Sequence, residues 1–242
     1  MIKTILLVLA TTGFLIPAPK TGEELIRDMH QKYAGKWYHT LTFKQTTTSE
    51  QGGKVETWYE AARIPGFLRI DIMPLDSAKA ILFRNDSLYV FDKGAVQVAR
   101  PFVHPLMVLG FDVYAEDPEI TIRKLTDMKF DMTKLHEDTW QGRPVYVVGA
   151  DSGDAKAPQF WVDKEHLYFV RMIQAGQNGA VVETQFNKYQ RLGQGWISPE
   201  VIFMRDGTVI TTEAYADIRS DADLPADLFD PKGYTKPTWF TP

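Results

Sequence analysis

The side chains best able to do chemistry are scattered along this sequence and form no recognisable catalytic or metal-binding pattern. The five histidines are far apart, and in "HEDTW" Trp140 stands where a helical zinc motif beginning at His136 would have its second histidine. Ser152 in "GADSGD" lacks the Gly-x-Ser-x-Gly spacing of a nucleophile elbow. The sequence therefore predicts no metal, no cofactor and no enzyme, with catalytic groups converging from distant strands as the alternative.

One arginine stands out by its position in "WYEAARIPGFLRIDI". Side chains alternate between the two faces of a strand, so Glu56, Trp58 and Glu60 share one face and Arg63 falls on the other, with Tyr59. We interpret the face without acids as the buried one. Arg63 is then either a hydrogen-bond donor facing the interior, or a strand-end residue that extends to the rim and pairs with an acid.

The elements around this arginine are mainly strands. From Trp37 onward apolar side chains recur with a period of two in short runs separated by turn residues, including the hairpin signals Asn178-Gly179 and Asp206-Gly207. Short connections favour antiparallel pairing of successive strands. The pattern predicts a mainly β protein, of α+β class, whose long sheet either closes into a barrel or stays half open with helices laid across it.

Helical patterns flank and interrupt the strands. Thr21 and Glu24 form a capping box at the start of "TGEELIRDMHQKYAG", and Gly35 ends this helix. Pro105 suits the first turn of a second, short helix, and a further helical turn is expected near 120–125. These apolar segments are able to cover one face of the sheet.

A covered apolar face predicts a cavity and makes binding the leading function. By strand alternation we expect the cavity to be lined by Leu41, Phe43, Tyr59, Leu68, Ile70, Ile72 and Leu82. The expected lid residues are Leu106, Met107 and Leu109.

Composition and the N-terminus indicate the compartment. Lys3 and the apolar run 5–16 predict a signal peptide over 1–18, which leaves 19–242 as one domain. A net charge of −4, with no basic stripe, argues against nucleic acid. The chain has no cysteine, so disulfides and a lipid-modified N-terminus are excluded. We expect an exported, soluble monomer.

The order of several motifs resembles the periplasmic outer-membrane lipoprotein carrier (LolA-type) superfamily. After the signal peptide and first helix, Phe43 and Gln45 in "LTFKQTT" match the Phe-x-Gln of the family's first strand. "ARIPGFLRIDI" matches its arginine and proline before a strand, and "NDSLYVFDKGAVQVA" its next strand, turn and strand. "HPLMVLG" is similar to its Pro-led apolar lid segment, and "LPADLFDPKGY" to its terminal Phe-x-Pro-x-Gly element.

The resemblance implies a fold and a function. The fold would be an incomplete antiparallel β-barrel, a curved sheet with a helical lid over an apolar cavity. The function would be a periplasmic carrier that takes acylated lipoprotein or another lipid from a membrane-bound donor and passes it to an acceptor protein toward the outer membrane. Arg63 would be a latch that hydrogen-bonds to backbone carbonyls near 106–109 in the empty state. The alternative is a sensory or regulatory domain of the same fold that binds lipid or lipoprotein.

Overall fold

The computed structural model describes residues 18–240. The predicted signal peptide over 1–18 therefore lies, apart from Ala18, outside the described residues. Within the described range no helix combines the length and the apolar character needed to cross a membrane.

One long antiparallel sheet dominates the structure. Its strands follow the order β6-β5-β4-β3-β2-β1-β15-β14-β11-β10-β9-β8-β7, so β6 and β7 form its two edges and the sheet is curved but not closed. A separate two-stranded sheet joins β12 to β13. The strands are β1 (Thr40–Ser49), β2 (Lys54–Arg63), β3 (Phe67–Ile72), β4 (Lys79–Arg84), β5 (Ser87–Asp92), β6 (Ala95–Pro101), β7 (Leu135–Trp140), β8 (Arg143–Val148), β9 (Gln159–Asp163), β10 (Phe169–Ala175), β11 (Val181–Asn187), β12 (Gln190–Leu192), β13 (Gly195–Ile197), β14 (Glu200–Arg205) and β15 (Thr208–Ser220).

The helices form where the sequence predicts them. They are α1 (Gly22–Tyr33), α2 (Pro105–Gly110) and α3 (Pro118–Asp127). The Thr21 hydroxyl accepts a hydrogen bond from the Glu24 backbone N–H at 3.2 Å, as the capping box requires. The predicted fold class, an incomplete antiparallel barrel with helices over one face, is confirmed.

Apolar side chains are buried on both faces of the N-terminal half of the sheet. The larger core joins α1, α2 and α3 to the concave face and contains Leu41, Leu109 and Leu125, each with no exposed surface. A second cluster lies on the opposite face, where Leu228 and Phe229 of the C-terminal segment 221–240 cover part of β2, β4 and β5. Burial alone therefore does not distinguish the concave face from the outer face.

An ion pair fastens the C-terminal segment to the outer face. Arg69 on β3 donates two hydrogen bonds of 2.9 Å to the carboxylate of Asp71, and a third of 3.0 Å to the carbonyl of Leu228. Arg69 is 4% exposed and Asp71 is fully buried. The guanidinium also lies 4.8 Å from the ring centre of Tyr234. The ion pair within β3 thus positions Arg69, which holds the C-terminal segment by a hydrogen bond and by packing against Tyr234.

Candidate functional site

An apolar cavity of about 250 Å³ lies between the concave face of the sheet and α2. Strands β1 to β4 form one wall, and β11, β14 and β15 form the other. Its aromatic and aliphatic lining consists of Phe43, Trp58, Ala62, Leu68, Ile70, Ile81, Phe83, Leu106, Met107, Phe111, Phe186, Phe203 and Tyr215. Its remaining lining residues are Gln45, Glu60, His104 and Glu213.

Several residues predicted to line a cavity lie in this wall. Phe43, Leu68 and Ile70 line it from the sheet, and Leu106 and Met107 line it from α2. The predicted residues Leu41, Ile72 and Leu109 do not border the cavity, but they belong to the apolar core of the same side. The predicted lid segment therefore does lie over the concave face.

Two predicted cavity residues lie on the opposite face, so their assignment was wrong. Leu82 packs in the outer cluster, and the ring of Tyr59 stacks on Phe240 with centroids 3.7 Å apart. The pairing of Phe43 with Glu60 explains the error, because directly opposed residues of antiparallel strands share a face. The acid-bearing face of β2 thus points inward, and the face without acids points outward.

The same register removes Arg63 from the cavity, and the predicted latch is wrong. Arg63 is opposite Thr40 on β1 and Phe67 on β3, on the outer face of the sheet. Its guanidinium carbon lies 4.9 Å from the ring centre of Phe229, in the C-terminal segment. Arg63 therefore makes a cation–π contact on the outside instead of hydrogen bonds to α2.

A different polar contact ties α2 to the sheet near this arginine. Asp112, two residues after α2, accepts a hydrogen bond of 3.0 Å from the backbone N–H of Gly66, at the corner between β2 and β3. Gly66 has a φ of 91°, a conformation that glycine adopts without strain. Burial raises the pKa of Asp112 to about 7, although the bond from Gly66 opposes that rise. The Ile-Pro-Gly corner thus holds the covering segment by its backbone.

Close packing also holds the C-terminal end of α2. A side-chain carbon on Gly110 would lie 3.2 Å from the ring of Phe186, so glycine allows the helix to approach β11 closely. Together with Asp112, this contact fixes the C-terminal end of α2 against both walls of the cavity.

The cavity contains two carboxyl groups: Glu60, which our interpretation of the strand alternation placed on the outer face, and Glu213, which the sequence pattern did not single out. Glu60 on β2 is 4% exposed and lines the cavity. Glu213 lines the same cavity from β15, the strand on the other side of β1. Glu213 accepts a hydrogen bond of 3.3 Å from the Tyr215 hydroxyl. The usable signal was in the sequence, because the alternation that puts Phe43 inside also selects Glu60 once the β1–β2 register is known.

Burial in apolar surroundings changes the titration of these groups. Burial, followed by the negative charge of Glu213, raises the pKa of Glu60 well above its ordinary range. Burial raises the pKa of Glu213 to about 7, although hydrogen bonds from Tyr215 and Gln45 lower it. Burial lowers the pKa of His104 to about 4, so this imidazole is neutral near pH 7. The cavity therefore gains negative charge as the pH rises.

Three solved structures share this architecture. A putative outer membrane lipoprotein-sorting protein domain from Vibrio parahaemolyticus has a TM-score of 0.59 at 15% identity, covering 86% of this chain and 96% of its own. A DUF1329 family protein from Desulfovibrio piger has a TM-score of 0.58 at 15% identity, covering 86% and 95%. A LolA superfamily protein from Nitrosomonas europaea has a TM-score of 0.51 at 13% identity, covering 86% and 97%.

These similarities define the fold of the chain. At 13–15% identity the resemblance is one of architecture, and it makes this a LolA-like fold. No protein-family model matches the chain, and no curated protein matches its sequence.

Proposed function

We propose that the chain is a carrier that binds the acyl chains of a lipoprotein, or of another lipid, in the cavity under α2 and moves them toward the outer membrane. The observation that carries the proposal is the aromatic and aliphatic cavity enclosed between a curved sheet and a short helix. Support comes from the LolA-like fold and from the solved Vibrio structure described as a lipoprotein-sorting domain. Binding, not catalysis, is the activity proposed.

A carrier of this kind is needed because acyl chains are unfavourable in water. Each acyl methylene group exposed to water costs about 0.8 kcal/mol, so a lipid with long chains needs a protein cover to cross an aqueous compartment. Met107, on the face of α2 toward the cavity, has the unbranched side chain that adapts to chains of different shape.

The cavity volume implies that α2 moves during loading. A volume of about 250 Å³ lies just below the range of roughly 300–1,000 Å³ that accommodates drug-sized ligands, and long acyl chains need more. The contacts to release are at the C-terminal end of α2, where Asp112 holds Gly66. Opening at this end would extend the cavity without breaking the strand pairing of the sheet.

The remaining features of the proposal concern the setting of the carrier. We place the mature chain, 19–242, in the periplasm as one soluble, monomeric domain exported by the predicted signal peptide. It would receive cargo from a membrane-bound donor and give it to an acceptor protein.

A transfer assay tests the carrier role. The purified chain is loaded with a fluorescently labelled acylated peptide, freed of unbound peptide, and mixed with acceptor vesicles. We expect the loaded chain to keep the peptide in solution and to deliver it to the vesicles. Failure to solubilise the peptide would contradict the proposal, whereas solubilisation without delivery would favour the sensory alternative.

The rate of loading in the same assay tests which contact controls the opening of α2. Asp112→Ala removes the acceptor for the Gly66 N–H, so the open form should be more populated. A hydrogen bond contributes roughly 1 kcal/mol, so loading should be severalfold faster. Arg63→Leu is the control, because Arg63 lies on the outer face. Equal loading rates for the two variants would show that the Asp112 contact does not control access.

A further inference from the structure

The two carboxyl groups face one apolar space across a single strand. Glu60 is opposite Phe43, and Glu213 is opposite Thr47, so the acids lie on either side of β1 on its cavity face. Gln45, between Phe43 and Thr47, also lines the cavity and donates its amide N–H to the Thr47 hydroxyl at 2.8 Å. Gln45 therefore lies between the two acids on the cavity face of β1 and offers them only a neutral amide.

Glu60 has no hydrogen-bond partner within residues 18–240, although it is 96% buried and borders the cavity. Glu213 receives neutral donors from Tyr215 and Gln45 but no cation. Among the described residues that line the cavity there is no lysine or arginine. A buried carboxylate without a partner is costly, so burial favours the protonated form of Glu60 in the empty cavity, and only a ligand can supply the positive charge that would stabilise its ionised form.

Aromatic rings also border the cavity near the two acids. Phe43 and Tyr215 stack with centroids 4.3 Å apart, and Trp58 and Phe203 border the same cavity. Carboxylates combined with aromatic faces are the groups that bind alkylammonium ions, through ion pairing and cation–π attraction. A fatty acid is not favoured here, because its carboxylate would be repelled by the ionised glutamates.

We propose that Glu60 and Glu213 form a headgroup subsite that selects amphiphiles carrying an ammonium group beside their alkyl chain. This inference rests on the proposed function, because it names the chemical class of ligand that the apolar cavity prefers. The ammonium would lie between the two carboxylates, and the alkyl chain would extend along Leu68 and Ile70 under α2.

The subsite predicts a dependence on pH. The titratable groups facing the acids are Tyr215 on β15 and His104 before α2, and burial keeps the tyrosine protonated and the histidine neutral near pH 7. The change in charge therefore comes from the glutamates. The pKa of Glu213 is raised to about 7 and that of Glu60 is raised well above its usual range, so ammonium binding should strengthen as the pH rises through 7.

Three probes of equal chain length test the subsite. Dodecylammonium, dodecanol and dodecanoate are titrated into the full chain by competition with a fluorescent apolar probe. At about pH 8 we expect dodecylammonium to bind at least about tenfold more tightly than dodecanol, with dodecanoate weakest. At about pH 5 the preference for dodecylammonium over dodecanol should be mostly lost, because Glu213, with its pKa raised to about 7, is protonated and burial favours the protonated form of Glu60.

Variants separate charge from shape. The double variant Glu60→Gln/Glu213→Gln and the single variant Glu213→Gln should reduce the ratio of dodecanol to dodecylammonium dissociation constants, the double variant to near one. Glu56→Gln is the control, because Glu56 is on the same strand as Glu60 but outside the cavity, paired with Lys54 at 2.7 Å. Near-ultraviolet circular dichroism verifies that each variant is folded.

The outcomes distinguish the subsite from the carrier role. Equal binding of dodecanol and dodecylammonium to the native chain at about pH 8 would overturn the subsite and leave the apolar carrier intact. A preference for ammonium that survives in the double variant would also overturn it. If no probe binds at any pH, the proposed function fails and the subsite fails with it.

Discussion

Replacing Arg69 with methionine is expected to lower the free energy of unfolding by about 3–5 kcal/mol, because it leaves the fully buried carboxylate of Asp71 without its partner. The change also removes the hydrogen bond to the Leu228 carbonyl and the contact with the Tyr234 ring. The C-terminal segment should therefore detach from the outer face before the sheet unfolds. Urea denaturation measures the loss of stability, and limited proteolysis at about 221–240 measures detachment.

Arg84→Met is the matched control for this prediction. Arg84 lies on the next strand, donates a hydrogen bond of 3.1 Å to the Phe229 carbonyl, and is 4.0 Å from Asp230 in the same C-terminal segment. The Arg84 and Asp230 side chains are 39% and 46% exposed, so the substitution should cost about 1 kcal/mol or less. Equal losses for the two variants would mean that the buried pair does not hold the segment.

Filling the cavity should weaken ligand binding by about tenfold or more without unfolding the chain. Ala62 is 4% exposed and borders the cavity, opposite Leu41 on β1 and Leu68 on β3. An indole at this position would occupy much of the 250 Å³, so we expect Ala62→Trp to weaken binding of an acyl probe by about tenfold or more. Titration calorimetry measures the affinity.

The control for this variant carries the same substitution on the other face. Ala214 is exposed on β15, next to Glu213 in sequence but pointing away from the cavity. Ala214→Trp should bind the probe as the native chain does. Unfolding curves should place both variants within about 2 kcal/mol of the native chain. Undiminished binding by a folded Ala62→Trp protein would mean that the ligand lies elsewhere.

Local signals in the sequence predicted the elements well. The Thr21 capping box and the proline in the first turn of α2 specify helix starts by local hydrogen bonding and geometry, and both helices form as predicted. The hairpin signal at Asn178 is also local, and this residue adopts a φ of 57° in the turn. Such features need no information from distant parts of the chain.

The faces of the N-terminal strands could not be assigned in the same way. The C-terminal segment buries the outer face, so Ala61 and Leu82 are as buried there as Leu68 is inside. When both faces are covered, the alternation of apolar and polar side chains no longer identifies the interior. The presence of Glu60 inside the cavity then inverted the assignment of β2, which is the kind of exception expected at a binding site.

Contact between an acyl chain and Trp58 tests the central claim most directly. Trp58 is the only tryptophan among the described residues that line the cavity. A bound acyl chain brominated along its length should therefore quench the fluorescence of Trp58 by contact. We predict saturable quenching in the native protein. In Trp58→Phe the quenching should be lost, while the affinity for the brominated acyl chain is retained. Quenching of equal size in Trp58→Phe, or none in the native chain at saturation, would contradict the claim that the acyl chain occupies this cavity.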